Sequence, residues 1–118
     1  MLTYNAQTLA YIGDAVYELR VREHLLATGH SQAKNLHRAA IERTNAAAQQ
    51  RALNRLYPLL TEAERDVVRR GRNAPLARKS RKEDLMTYKL ATGLEALIGR
   101  LHLSGEQERL DELFDAIL

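Results

Sequence analysis

The sequence predicts an all-α protein, a helical bundle built as one domain of 118 residues. Three observations predict it. Apolar residues recur at helical spacing along most of the chain. No run of alternating β-branched residues and no Asn-Gly hairpin signal interrupts them. Helix-start and helix-stop residues punctuate the runs, with "TEAE" at 61–64 the clearest start and Gly29, Pro58, Gly71 and Pro75 marking stops.

Each element follows from these signals. A first helix is expected from Ala6 to Thr28, ending at Gly29. Ser31 can cap a second, over 32–56, ended by Pro58. Thr61, with Glu64 three residues on, forms a capping box and starts a third helix that ends near Gly71. A polar, basic connector at about 72–83 carries Pro75. A fourth long helix is expected from Glu83 to Leu103. Ser104 with Gln107 resembles another capping box, opening a last helix that finishes at Leu118. No internal repeat and no low-complexity tract beyond the connector is found.

Composition excludes several classes. Hydrophobic residues make up 45% and charged residues 28% of the chain, as in ordinary globular domains. No apolar run is long enough to span a membrane, and "MLTYNAQTLAY" does not read as a signal peptide. With 0 cysteines the chain has no disulfide scaffold and no thiolate metal site, which fits a reducing, cytoplasmic setting. The net charge of +3 is unevenly spread. Residues 69–82, "RRGRNAPLARKSRK", hold Arg69, Arg70, Arg72, Arg78, Lys79, Arg81 and Lys82 and no acid, whereas the rest of the chain is net acidic. Such a segment suits an anionic partner, RNA or DNA, or else serves as a solvated loop.

The first helix poses a question. It is apolar or small at Leu9, Ala10, Ile12, Gly13, Ala15, Val16 and Leu19, so it is expected to be central, or covered on one side by a partner chain. Yet it carries Gly13 and Asp14 side by side. Gly costs a helix about 1 kcal/mol relative to Ala, and an unpaired buried carboxylate costs more. The fourth helix has an apolar stripe of Leu90, Leu94, Leu97, Ile98 and Leu101, with Glu95 off its centre among small neighbours. Glycines at 13 and at 99 or 93 would let the two helices close up and bring Asp14 and Glu95 into one narrow space. Two facing carboxylates repel unless a cation lies between them. Oxygen ligands suit a hard ion, Mg²⁺ or Mn²⁺. The simpler alternatives are that Asp14 pairs with a basic residue and that Glu18 bridges to Arg22 one turn on.

"YIGDAVYE" at 11–18 and "TGLEALIGRLHLSG" at 92–105 resemble the two acidic motifs of the ribonuclease III catalytic domain. "LHRAA" at 36–40 and "RGRNA" at 70–74 resemble more narrowly the Mini-ribonuclease III branch, which lacks a double-stranded-RNA-binding domain. The resemblance covers nearly the whole chain, with the motifs in the family's order. It implies a homodimeric, metal-dependent endonuclease for double-stranded RNA, normally using magnesium and leaving 5′-phosphate and 3′-hydroxyl ends. It further implies that the signature helix lies in the dimer interface, and a role in maturing the precursor of 23S ribosomal RNA. A ribosomal protein could present that substrate.

By this resemblance Asp14 and Glu95 are the catalytic, metal-holding acids. Two further acids of the family are absent: Ala10 and Thr92 stand in their places, which leaves open whether one or two metals bind. Glu18 is the nearest further candidate ligand by spacing, and Thr92 could support a water. RNA contacts are expected from Arg70, Arg72, Asn73, Arg78, Lys79, Arg81 and Lys82, and from a second face with Lys34, His37 and Arg38. His24, His30 and His102 are scattered and carry no role. The alternatives are a non-catalytic RNA-binding or ribosome-associated protein on the same fold, or a helical module for protein partners.

Overall fold

A computed structural model describes residues 4–29, 32–75 and 84–118. The described residues form six α-helices and one 3₁₀ turn, with no strand among them. α1 spans Ala6–Ala27, α2 Ala33–Thr44, α3 Ala46–Leu56, α4 Glu62–Asn73, α5 Leu85–Leu103 and α6 Gln107–Ile117. The 3₁₀ turn, Tyr57–Leu59, holds Pro58.

α5 is the axis of the bundle. It packs against α1, α3, α4 and α6, most extensively against α1. Its buried residues include Ala91, Leu94, Ala96, Leu97, Ile98 and Leu101. Around them gather Tyr17, Val21 and Leu25 of α1, Leu53 and Leu56 of α3, and Leu110, Leu113 and Phe114 of α6. The Tyr17 and Phe114 rings meet at 5.3 Å between centroids.

Most expected boundaries agree with the observed ones. Gly29, with φ 98°, follows the end of α1. Thr61 and Glu64 form the reciprocal capping box at the start of α4, which runs two residues past Gly71 to Asn73. Two expectations need correction. The single helix expected over 32–56 is two helices, because Asn45 adopts an extended conformation, φ −66° and ψ 161°. Its side-chain oxygen accepts from the Ala48 amide at 2.8 Å, and its side-chain nitrogen donates to the Ile41 carbonyl at 3.0 Å. One side chain thus closes α2 and opens α3. The capping box at Ser104 and Gln107 does not form. The Glu106 amide donates to the Leu101 carbonyl and the Gly105 amide to that of His102, a Schellman ending for α5. α6 therefore begins only at Gln107, after Glu106. The cap expected from Ser31 lies outside the described residues.

α1 has two apolar faces. Leu9, Ala10, Gly13, Tyr17, Val21 and Leu25 turn inward. Tyr11, Leu19 and Leu26 are exposed on the other side, at 78%, 57% and 60% of their full area. No described helix is long and apolar enough to cross a membrane.

Candidate active site

The site begins with glycine. An ideal Cβ on Gly13 would lie 1.7 Å from the Glu95 carbonyl oxygen, and one on Gly99 would lie 1.9 Å from the Leu9 carbonyl oxygen. The backbones of α1 and α5 are therefore in direct contact, and no other residue type fits either position without moving a helix. Gly93 makes a different contact from the one expected as an alternative. It faces α4, where its Cβ would meet the Val68 carbonyl oxygen at 2.7 Å, and Gly71 faces it in return.

This approach sets Asp14 beside Glu95. Asp14 is exposed, not buried as expected of an acid in so apolar a helix. It stands at the cavity edge, and Glu95 is the more buried of the two. Burial raises the Glu95 carboxyl from its ordinary value to about 8, and the hydrogen bond and negative charge of Asp14 push in the same direction. Gln49 of α3 opposes the shift: its Nε2 donates to Glu95 Oε2 at 3.5 Å. Near neutral pH the pair therefore tends to retain a proton on Glu95, and a cation between the carboxylates would take that proton's place. Both donors are hard oxygens, so the pair fits a Mg²⁺ or Mn²⁺ ion better than a soft one.

The two acids open into a cavity of about 730 Å³ between α1, the α2–α3 junction and α5. Gln7, Ala10 and Tyr11 line it from α1; Thr44, Asn45, Ala46 and Gln49 from the junction; Tyr88, Ala91 and Thr92 from α5. Pro75, just past α4, completes the rim, and its carbonyl accepts from the Gln7 side chain. Pro75, which belongs to the basic segment of the sequence, thus stands at the cavity mouth.

The other candidates divide. No third His, Asp or Glu joins the two acids among the described residues. Glu18 is not at the cavity. It accepts from both Nε and Nη2 of Arg22, at 3.1 and 3.0 Å, so the i,i+4 ion pair takes the carboxylate that had been a candidate ligand. Thr92 is at the cavity, but its hydroxyl donates to the Tyr88 carbonyl at 2.9 Å. Ala10, where the resemblance led an acid to be expected, is buried at the cavity wall.

Of the expected RNA contacts, Arg70 is exposed and pairs with Asp66 at 3.0 Å. Arg72 Nε donates to the Asn73 side chain at 3.3 Å. Lys34, His37 and Arg38 are exposed on α2. They stand roughly 10–15 Å along that helix from its cavity end at Thr44, at 1.5 Å per residue. His37 instead borders a separate hollow with Leu25, Leu26 and Leu36. Arg78, Lys79, Arg81 and Lys82 lie outside the described residues. Sequence reasoning missed Asn45 and Gln49. A glutamine within "AAAQQRAL" is ordinary helix surface by pattern, so no local signal marks it.

Comparison with known proteins agrees with this geometry. The Ribonuclease III domain model matches residues 7–106. A Mini-ribonuclease 3 of Symbiobacterium thermophilum is 49% identical over 98% of this chain and 88% of its own. That of Desulfitobacterium hafniense is 45% identical over 96% of this chain and 71% of its own. The crystal structure of a Fusobacterium nucleatum protein superposes with a TM-score of 0.89 at 27% identity, covering 100% of this chain and 96% of the other. With its carboxylate pair, its all-helical fold and these relatives, the chain belongs to the ribonuclease III family of endoribonucleases, in its Mini-ribonuclease 3 branch.

Proposed function

We propose that the cavity cuts double-stranded RNA, with Asp14 and Glu95 as the catalytic acids holding Mg²⁺, or Mn²⁺ in its place. The facing carboxylates at the glycine contact carry this reading. Their mutual repulsion and the raised Glu95 carboxyl make the site ready for a divalent cation. A bound ion supplies Lewis acidity toward a phosphodiester. The chain's own residues do the rest. Asp14 and Glu95 fix where the cut occurs, and the small side chains Ala10 and Ala91 leave room for the backbone of one strand. Hydrolysis gives 5′-phosphate and 3′-hydroxyl ends.

Duplex binding falls mainly to cations. Arg70, Arg72 and Asn73 end α4 beside the rim at Pro75. Arg78, Lys79, Arg81 and Lys82 continue the basic run in sequence. Their phosphate contacts make binding salt-dependent. A-form RNA is recognised mainly by shape and 2′-hydroxyls, so sequence preference is weak. A second copy of the chain covers the apolar face of Tyr11, Leu19 and Leu26, making a homodimer with two sites. The natural substrate is a helical region of the 23S ribosomal RNA precursor in the cytoplasm, presented free or by a ribosomal protein.

The test is cleavage of a long perfect RNA duplex in Mg²⁺, with Asp14→Asn and an EDTA control in parallel. Discrete, metal-dependent products from the parent protein, reduced at least about 100-fold in the variant while duplex binding persists, are the expected result. Duplex binding without cleavage by the parent protein would instead favour a non-catalytic RNA binder, the reading that the replaced acids at Ala10 and Thr92 suggest.

A further inference from the structure

Two polar or charged side chains are buried among the described residues, Glu64 and Gln49. Glu64 is accounted for by the fold. It closes the α4 capping box and receives two hydrogen bonds from Arg109, at 2.8 and 2.7 Å. Gln49 has no such structural account. Only 2% of it is exposed, one turn into α3, and its amide reaches α5 at Glu95. A buried amide has a cost that an apolar side chain of the same size would avoid. Nor is Gln49 needed to attach α3 to α5. The neighbouring Gln50 accepts from the Thr87 hydroxyl at 3.0 Å, and Leu53 and Leu56 are buried in the shared core.

We propose that Gln49 is a positioning residue, whose amide N–H holds the Glu95 carboxylate in the orientation that binds the divalent ion. The inference rests on the active-site reading of Asp14 and Glu95 given above. A glutamine Nε2 only donates, so it can hold Oε2 without competing for the ion as another carboxylate would. Glu95 is half-buried on a helix whose backbone is pinned by glycine, so the freedom left to its carboxylate is side-chain rotation. The Gln49 hydrogen bond restrains that rotation. Asn45 sets the reach from behind: by opening α3 with its own side chain it fixes the start of the helix one turn before Gln49. Residues that orient a metal ligand from behind typically change metal affinity or activity by about 10–100-fold when removed.

The test is Gln49→Met, which keeps volume and helix propensity while removing the donor. The protein is the full chain, and three quantities are read: thermal midpoint in EDTA, Mn²⁺ affinity of the RNA-free protein by calorimetry, and single-turnover cleavage at saturating duplex. We expect an unchanged or higher midpoint, Mn²⁺ binding weakened by about tenfold or more, and a similar fall in cleavage rate at fixed Mg²⁺. The duplex concentration for half-saturation stays the same. Gln49→Asn, whose amide is one methylene too short to reach, behaves like the Met variant in metal affinity. A merely structural glutamine would lower the midpoint and leave Mn²⁺ affinity intact, which would overturn the inference. So would Met and parent proteins with equal Mn²⁺ affinity and equal cleavage rate. If the parent protein neither binds Mn²⁺ nor cuts duplex, the active-site reading fails and takes this inference with it.

Discussion

Replacing Gly13 by Ala adds one methyl group, and its effect follows from the α1–α5 contact. That methyl would sit 1.7 Å from the Glu95 carbonyl oxygen, 2.6 Å from its carbon and 2.8 Å from the Gly99 nitrogen. The first of these falls short of any normal contact by more than 1 Å. All three obstacles are backbone atoms of a helix in the middle of the core, so no rotamer change relieves them. α1 and α5 must separate or slide, which loosens the packing of Leu9, Ala10 and Ala96. Overpacking of this kind costs about 1–3 kcal/mol and sometimes more. Ala returns about 1 kcal/mol of helix propensity. With a clash this severe, the net loss should be about 2 kcal/mol or greater. Urea denaturation, with the slope checked against the parent, measures it. Gly29→Ala is the control: φ there is 98° and nothing lies within 4 Å, so only the cost of the backbone conformation, about 1 kcal/mol, is expected. Folded Gly13→Ala protein should also lose duplex cleavage, because the separation moves Glu95 away from Asp14. A rise in stability of about 1 kcal/mol, the value for propensity alone, would refute the claim that the backbones touch.

Arg109 holds the Glu64 carboxyl below its ordinary value, so this group stabilises the fold at neutral pH and ceases to do so as pH falls through the depressed value. Glu64→Gln should therefore cost roughly 2 kcal/mol at neutral pH, and urea curves at falling pH should show the gap closing; a gap independent of pH would remove the charge from the account. Asn45→Ala should cost about 1 kcal/mol or somewhat more for the lost cap, with a fall in cleavage larger than the stability change explains, read by single-turnover assay at a temperature where the variant is folded. Neutralising Arg78, Lys79, Arg81 and Lys82 together should weaken duplex binding and flatten the plot of log affinity against log salt by up to about 3 to 4. A filter-binding series with an unchanged slope would mean that these cations do not touch phosphate.

What could be read from residues alone was whatever local chemistry specifies. The Thr61–Glu64 box needs only four consecutive residues, and it formed as expected. Gly13, Asp14 and Glu95 could be paired because a glycine and an acid in two apolar helices are each anomalous, but the sequence left Gly99 and Gly93 as equal partners for Gly13, and only the packing selects Gly99. Asn45 was hidden because the alanines after it prolong the helical pattern, while its capping bonds depend on a backbone turn that no periodicity shows. Ser104 resembled a helix start, yet the residues that decide its role are Leu101 and His102 behind it, whose carbonyls bind the following amides. Gln49 was invisible for a different reason. Its importance lies in a partner 46 residues away, which only the packing of α3 on α5 creates.

The glycines of α5 set its distance from two neighbouring helices. Gly99 meets α1 and Gly93 meets α4, each against a glycine of the partner helix, Gly13 and Gly71. At the α1–α5 seam the spacing is set by backbone atoms alone, and at the α4–α5 seam by backbone together with the Ala96 Cβ and the Val68 Cγ1, not by long side chains that can hop between rotamers. Such a joint behaves like metal parts machined to touch, where a gasketed joint would give. Leucines elsewhere in the core can exchange for methionine or isoleucine and let the volume redistribute. At these two seams there is no gasket to thin, and at the Gly13–Gly99 seam a single methyl group is an error in the dimension that separates Asp14 from Glu95. The part of the molecule with the least chemistry of its own therefore sets the tolerance to which its chemistry is built.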